Sequence, residues 1–493
     1  MFKQAPTLLL ASAVALVAAA CQPDTTTGPA QDRIAQPRLS AARGMSGMNA
    51  GQWTEADHYV VAFRGRTSML EAAVAKVGGQ LLRAHPEIGI ATVTDLDDAG
   101  ASALEAATGV QSVTRDLLVQ WTPRAEDMDL QASGEADAEG HLVSDPTTAF
   151  FYPCQWNMAQ CNGPGAWDAD EFGAGATVAV LDTGVDPDHQ DLAGRIDVAN
   201  SASMLSSPSI CDDFVPDQGT ILDFGFHGSF VAGIIAGNGF GVTGIAPDAT
   251  IIGVKVLNCL GSGTFGDIVA GIVYAANLNV DVINMSLGAY FPKSAFGGGL
   301  LNGAIAKAVD YAASRGVLVV SSSGNEGDEA SGDGANLDND ANFVHLPSQA
   351  GSGIAAWAGD VNGDLAAYSN YGRSGSYVGA GGGDLTNPNP PLAGCVLPPS
   401  FQGGIISVCS SYAIVLPFTC ATNSYAYPGI GTSFSAPLVS GVAALVDGQA
   451  GGSMNAGQLK TRLKNTADDL GKPGADVYFS HGRVNAGAAV GAP

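Results

Sequence analysis

The sequence predicts an α/β fold with a mainly parallel sheet, preceded by a small α+β domain. Three observations carry this. Apolar runs of strand length (Thr177 to Leu181, Ile251 to Val256, Val280 to Met285, Val317 to Val320) alternate with helical segments at Ser229 to Ala236, Phe265 to Leu278 and Leu301 to Ser314. Strands without a polar face, separated by helices, belong to parallel sheets with right-handed crossovers, and functional groups collect at the carboxyl ends of such strands. An acidic, aperiodic stretch over about 123–145, with Glu126, Asp127, Asp129, Glu135, Asp137 and Glu139, separates this region from an earlier patterned one. The 66 glycines among 493 residues argue for many tight turns.

Taken in order, residues 1–20 carry Lys3 and an apolar core from Leu8 to Val17, too short for a membrane span, and read as a secretory signal. Ala18-Ala19-Ala20-Cys21 fits either a bacterial lipoprotein signal, with Cys21 acylated, or ordinary cleavage at the same bond. Residues 22–52 are polar and aperiodic, a disordered tether. Over 53–122 the pattern is strand (Tyr59 to Phe63), helix (Thr67 to Val77, stopped by Gly78-Gly79), strand (Ile88 to Val93), helix (Ala99 to Ala107) and strand (Val110 to Val119). This is a β-α-β-β-α-β-like domain, small for folding alone. Residues 123–145 read as a linker and a site of proteolysis, and 146–493 as one large domain.

The net charge of −26 without a basic cluster excludes nucleic-acid and anionic-membrane binding driven by charge. Eight cysteines in an exported chain, with no Cys-x-x-Cys pair, read as disulfides rather than metal ligands. Cys154 with Cys161 could close a short loop; Cys211 with Cys259, and two of Cys395, Cys409 and Cys420, are further pairs. If Cys21 carries lipid, an odd seven remain and at least one thiol is free or intermolecular, which favours the reading without lipid.

Four motifs carry chemistry. Ala179-Val180-Leu181-Asp182-Thr183-Gly184 ends an apolar strand in an acid, which needs compensation. His227-Gly228-Ser229-Phe230-Val231-Ala232-Gly233 opens a helix with a histidine, a position that does not favour the cation and so suits a general base. Val320-Ser321-Ser322-Ser323-Gly324-Asn325-Glu326-Gly327 ends a strand in an amide that could donate to an oxyanion. Gly431-Thr432-Ser433-Phe434-Ser435-Ala436-Pro437 puts Ser433 at a helix's first turn, near unpaired N–H groups. Pro437, four residues on, cannot donate to the Ser433 carbonyl. Singly, each motif is also a cap, a turn or a core helix.

Asp182, His227, Asn325 and Ser433, in this order and each in its own motif, resemble the subtilisin-like serine proteases (subtilases, peptidase S8, proteinase K-like members included). The resemblance spans about Ser144 to Ala489, from Gln155-Trp156-Asn157-Met158 to Gly482-Arg483-Val484-Asn485-Ala486. It implies a three-layer α/β/α fold, and a serine endopeptidase in which Ser433 is nucleophile, His227 base, Asp182 its orienting partner and Asn325 an oxyanion donor. By the same resemblance Gly261-Ser262-Gly263 and Ser286-Leu287-Gly288 sandwich an extended peptide, Ser323 and Gly324 wall a side-chain pocket, and Ala341 lies near its floor, suiting an apolar or aromatic side chain. Cys259 resembles a disulfide position of proteinase K-like members, in keeping with a Cys211–Cys259 bond.

Ser229-Phe230 depart from the family's Thr-His after His227-Gly228, which affects local packing rather than the base. Insertions follow Asp186 and span about 387–423. Residues 53–122 resemble the family's ferredoxin-like inhibitory propeptide; an independent binding domain is the other reading. No cofactor is implied for the chemistry. Structural Ca²⁺, as in relatives, has candidate ligands in the acidic loops Asp333 to Asp340 and Asp360 to Asp364. Expected partners are protein or peptide substrates and the chain's own propeptide, with a membrane met only through a lipid on Cys21; a monomer is expected. The competing class is an inactive binding or scaffolding relative. A lipase would instead carry a Gly-x-Ser-x-Gly elbow and the order Ser, Asp, His.

Overall fold

Strands that are apolar on both faces need cover on both sides, and the computed structural model supplies it. It describes residues 53–123, 131–133, 145–207, 210–293, 298–327, 334–339, 342–373, 375, 377–385, 391–414 and 420–492. The signal segment, Cys21, the tether, Ala341, most of the linker and part of the Asp333 to Asp340 loop lie outside them.

The N-terminal part runs β1 (Trp53–Phe63), α1 (Thr67–Lys76), β2 (Gln80–His85), β3 (Ile90–Thr94), α2 (Asp98–Glu105), β4 (Val110–Gln120). Its strands pair antiparallel in the order β2-β3-β1-β4. β2 was absent from the sequence expectation because Gln80–His85 is an edge strand without a buried residue. One face of this sheet (Tyr59, Val61, Phe63, Val93) packs on Leu70, Val74 and Leu104 of its own helices. The other face (Val60, Ala62, Ile90, Leu117, Val119) packs on helices of the large domain. A domain too small to bury both faces by itself thus borrows cover from its neighbour.

The large domain opens with the short helices α3 (Trp156–Gln160) and α4 (Gly163–Trp167) and is built on β6 (Thr177–Asp182), β7 (Ala202–Ser203), β8 (Thr250–Lys255), β10 (Val282–Met285), β12 (Leu318–Ser322) and β14 (Ile354–Ala356). These form one parallel sheet in the order β14-β12-β10-β6-β8-β7. Alternate residues of each strand serve opposite layers. Val178 and Val180 face α5 (His227–Ala236) and α8 (Thr432–Gln449). Ala179 and Leu181 face α6 (Phe265–Leu278) and α7 (Gly298–Ser314). The result is a three-layer α/β/α domain. Strand ends at 182, 285 and 322 point the same way, so Asp182, Ser286 and Ser323 share the carboxyl edge.

Two short pieces matter for the site. β9 (Ser262–Thr264) joins the N-terminal sheet beside β4, and β11 (Ala289–Pro292) pairs with β13 (Phe343–Leu346). The linker is not wholly irregular: β5 (Gln131–Ser133) pairs antiparallel with Tyr425–Gly429 of the large domain.

The disulfides are Cys154–Cys395, Cys211–Cys259 and Cys409–Cys420. The expected Cys154–Cys161 loop is therefore corrected: Cys154 bonds a partner 241 residues away, and Cys161 is a buried free thiol. Pairing depends on the fold, and spacing along the chain does not reveal it.

Candidate active site

Asp182 closes β6 and is fully buried. Its Oδ1 accepts from the Thr183 N–H at 2.7 Å and lies 2.8 Å from His227 Nδ1. His227 is the first residue of α5, where Gly228 is obligatory, since a Cβ there would overlap the Gly184 carbonyl oxygen. Phe226, just before it, sits at φ +82°, a conformation costly for a bulky residue. Asp223 holds this turn by accepting N–H bonds from Gly225, Phe226 and Ser229 at 2.8–3.0 Å, plus the Thr183 hydroxyl at 2.8 Å. Phe230, the departure from the family pattern, packs on Phe434 with ring centroids 4.5 Å apart and joins α5 to α8.

The electrostatics of His227 correct a simple helix-start argument. Burial pushes its pKa down, but the Asp182 charge and hydrogen bond outweigh this, with Asp223 adding to them, and the net shift is upward. Behind the pair lies a second buried charge pair. Lys255, register partner of Asp182, places Nζ 2.9 Å from Asp217 Oδ1 and donates to the Thr183 and Leu222 carbonyls.

Ser433 is the second residue of α8 and 6% exposed. Its hydroxyl donates to the Ser286 carbonyl at 3.1 Å, and the Ser286 hydroxyl donates to the Ser433 carbonyl at 2.7 Å. That second bond is what Pro437 allows: lacking an N–H, it leaves the Ser433 carbonyl open to a partner outside the helix. Ser286 is itself held by Asn284 at 3.0 Å, and Asn284 by Ser440 at 2.8 Å. Asn325 Oδ1 accepts both the N–H and the hydroxyl of Thr432 at 2.8 Å, which orients the amide and leaves its NH₂ to donate. His227 Nε2 has no hydrogen-bond partner among the described residues. A serine at the start of α8, whose next residue Phe434 has its ring centroid 5.8 Å from that of His227, together with an imidazole with a vacant nitrogen and a fixed amide, suits acyl transfer.

The two glycine-rich segments hold a peptide, and it is this chain's own. β4 pairs antiparallel with β9, Val119 opposite Gly263 and Gln120 opposite Ser262. Trp121 then donates its N–H to the Gly261 carbonyl and accepts from the Gly288 N–H, both at 3.0 Å. Its indole N–H reaches the Gly263 carbonyl at 2.9 Å, and its ring packs on Phe265 and Phe291. Leu287 is buried beneath this strand, in the same cluster. Ser323 lies at the end of β12, its hydroxyl bonded to the Asn370 carbonyl at 3.0 Å, and Gly324 donates to the Thr432 hydroxyl at 3.1 Å.

A search of known families matches residues 173–482 to the subtilase family, Peptidase_S8. The chain belongs to the subtilase family. Thermitase of Thermoactinomyces vulgaris is 31% identical over 348 residues, covering 70% of this chain and 99% of that protein. Subtilisin Savinase of Lederbergia lenta is 33% identical over 336 residues, covering 68% and 97%. Among solved structures, the epidermin leader peptide processing serine protease (EpiP) of Staphylococcus aureus superposes with a TM-score of 0.70 at 19% identity, covering 89% of this chain and 98% of that one, a likeness of fold. This subtilase is a subtilisin-like serine endopeptidase, and the family acts on protein or peptide substrates without a cofactor for the chemistry.

Sequence reasoning missed Asp223, Lys255 and Asn284. Asp223, four residues before His227, was legible as a cap for that helix; the others gain meaning only from neighbours remote in the chain. The calcium loops fare differently. Asp360 Oδ1 accepts the N–H groups of Asn362 and Asp364, closing its own turn. Among the described residues the one group at metal-ligand spacing is Cys211, Asp217 and Cys259, whose sulfurs are bonded to each other.

Proposed function

We propose that this subtilase is exported as a zymogen and cuts peptide bonds through an acyl-enzyme on Ser433. The observation that carries the reading is the buried His227–Asp182 bond with His227 Nε2 left vacant, its ring centroid 5.8 Å from that of Phe434, the residue after a serine tied to Ser286. The Ser433 hydroxyl turns from the Ser286 carbonyl to His227 Nε2 and attacks the scissile carbonyl while Nε2 takes its proton. The C–N bond then breaks as His227 returns that proton to the leaving amine, and water repeats the sequence to free the new carboxylate. Asp182 keeps its charge throughout, fixing the tautomer and stabilising the imidazolium. The Asn325 NH₂ and the Ser433 N–H hold the oxyanion.

The zymogen reading rests on the strand from Leu118 to Trp121, which occupies the groove a substrate needs. Two anchors bracket the maturation cut: Trp121 on Gly261 and Gly288, and Gln131–Ser133 on 425–427. A cut between them leaves β5 with the mature enzyme. Cys21 carries lipid in this reading, so the cut also frees the enzyme from the membrane; the seven other cysteines form three disulfides and one buried thiol, which supports leaving Cys21 out of a disulfide.

The test is expression of the full chain and of Ser433→Ala. The wild type should lose its N-terminal part between Pro123 and Gln131 and digest an unfolded protein, while the variant stays intact and inert. An intact wild type that digests nothing would defeat the proposal.

A further inference from the structure

A peptide whose carbonyl lies between Ser433 and the Asn325 amide has its flanks set. Ser286 touches Ser433 through two hydrogen bonds, and Asn325 is bound to Thr432. The side chain before the scissile bond therefore leaves between Gly288 and Gly324, the neighbours of those anchors. The edge of the His345 imidazole stands in that slot. A Cβ added to Gly288 would overlap His345 Cε1, and one added to Gly324 would lie 2.5 Å from His345 Nε2. The expected floor residue, Ala341, is outside the described residues.

His345 is fully buried and firmly held. Its N–H donates to Gln349 Oε1 at 2.8 Å, Nδ1 lies 2.6 Å from the Ser348 hydroxyl, and Tyr290, its register partner, sits edge-on with centroids 5.2 Å apart. Nε2 has no hydrogen-bond partner among the described residues; Glu326 Oε1 stands 3.8 Å away, and Glu326 Oε2 is bonded to the Asn370 amide. Burial pushes the His345 pKa down to about 3, so the ring is neutral wherever the enzyme works. A neutral ring whose position is fixed by Ser348, Gln349 and Tyr290 thus stands against both Gly288 and Gly324.

We propose that His345 makes this subtilase specific for cleavage after small residues, alanine or serine, by filling the pocket that receives the side chain before the scissile bond. This rests on the serine-protease reading, and the experiment separates the two. Mature enzyme is first titrated with a fluorophosphonate, whose attachment to Ser433 needs no peptide side chain. Peptide amides differing only in the residue before the cut (Ala, Ser, Phe, Leu, Arg) are then compared by kcat/KM per labelled site. Wild type should favour Ala and Ser over Phe and Leu by about 100-fold. His345→Gly, or His345→Ala if the glycine variant does not label, should erase most of that ratio. Wild-type cleavage after Phe or Leu as fast as after Ala would overturn the proposal, as would an unchanged ratio in a labelled variant. Preferred cleavage after Arg, lost in Glu326→Gln, would overturn it in favour of an acidic pocket. Failure of wild type to label would overturn the serine-protease reading beneath it.

Discussion

Among the described residues two buried histidine–aspartate pairs are bonded side chain to side chain, one within the N-terminal part where it meets the large domain, one in the candidate active site. In the first, His58 Nε2 is 3.0 Å and Nδ1 2.9 Å from carboxylate oxygens of Asp116 and Asp57. Asp116 is saturated too, taking N–H bonds from Leu117, Phe265 and Gly266 and so capping α6. In the second, Asp182 Oδ2 and His227 Nε2 lack hydrogen-bond partners among the described residues. Both histidines are raised in pKa by their carboxylates against the opposing effect of burial. What separates them is the vacancy. A structural pair spends every polar atom, whereas a pair that must receive a proton keeps one nitrogen open at a cost in stability.

The comparison breaks most visibly at Asp182. Asp182→Asn should lower kcat by about 10⁴-fold. Its pH profile is the sharper test. His227 must be neutral to act, so wild-type kcat/KM should rise with pH through an inflection above the ordinary histidine value. Removing the Asp182 charge lets burial dominate and should move that inflection down. An inflection that stays in place would mean that Asp182 does not tune His227.

Asn325→Ala should cost about 10²–10³-fold in kcat with little change in KM, because the amide serves the transition state. An effect confined to KM would reassign Asn325 to substrate binding. Pro437→Ala restores an N–H that competes with the Ser286 hydroxyl for the Ser433 carbonyl. It should slow acylation roughly 10- to 100-fold with an unaltered thermal midpoint, and an unchanged acylation rate would remove Pro437 from the account.

The smallest effect on catalysis belongs to His58, which acts on the stability of the N-terminal part. Its pKa in the structure is about 9, above the ordinary value, so its contribution is complete below about 6.5 and is lost as pH rises through about 9. The N-terminal part should therefore unfold more readily above that range. His58→Gln should destabilise the folded N-terminal part by about 1–3 kcal/mol and flatten this dependence, as measured by thermal unfolding of the full Ser433→Ala chain across pH.

Much of this was legible in the sequence because each functional group sits where a periodic pattern stops. Asp182 ends an apolar strand, His227 and Ser433 begin apolar helices, and Phe265 to Leu278 is a helix with the expected bounds. Features that need a third dimension were not. His345 reads as one residue in Phe-Val-His-Leu until β11 and β13 pair and carry its ring to Gly288 and Gly324. Cys154 finds Cys395 only through the fold, and β2, an edge strand without a buried residue, lacks the apolar signal that marked its neighbours.

The most direct test of the account is to label the purified wild-type chain with a fluorophosphonate and map the adduct by peptide mass spectrometry, with Ser433→Ala alongside. The account predicts a single adduct on Ser433, absent from the variant and slowed in Asp182→Asn. An adduct on another serine, or none on a chain that still digests protein, would contradict it.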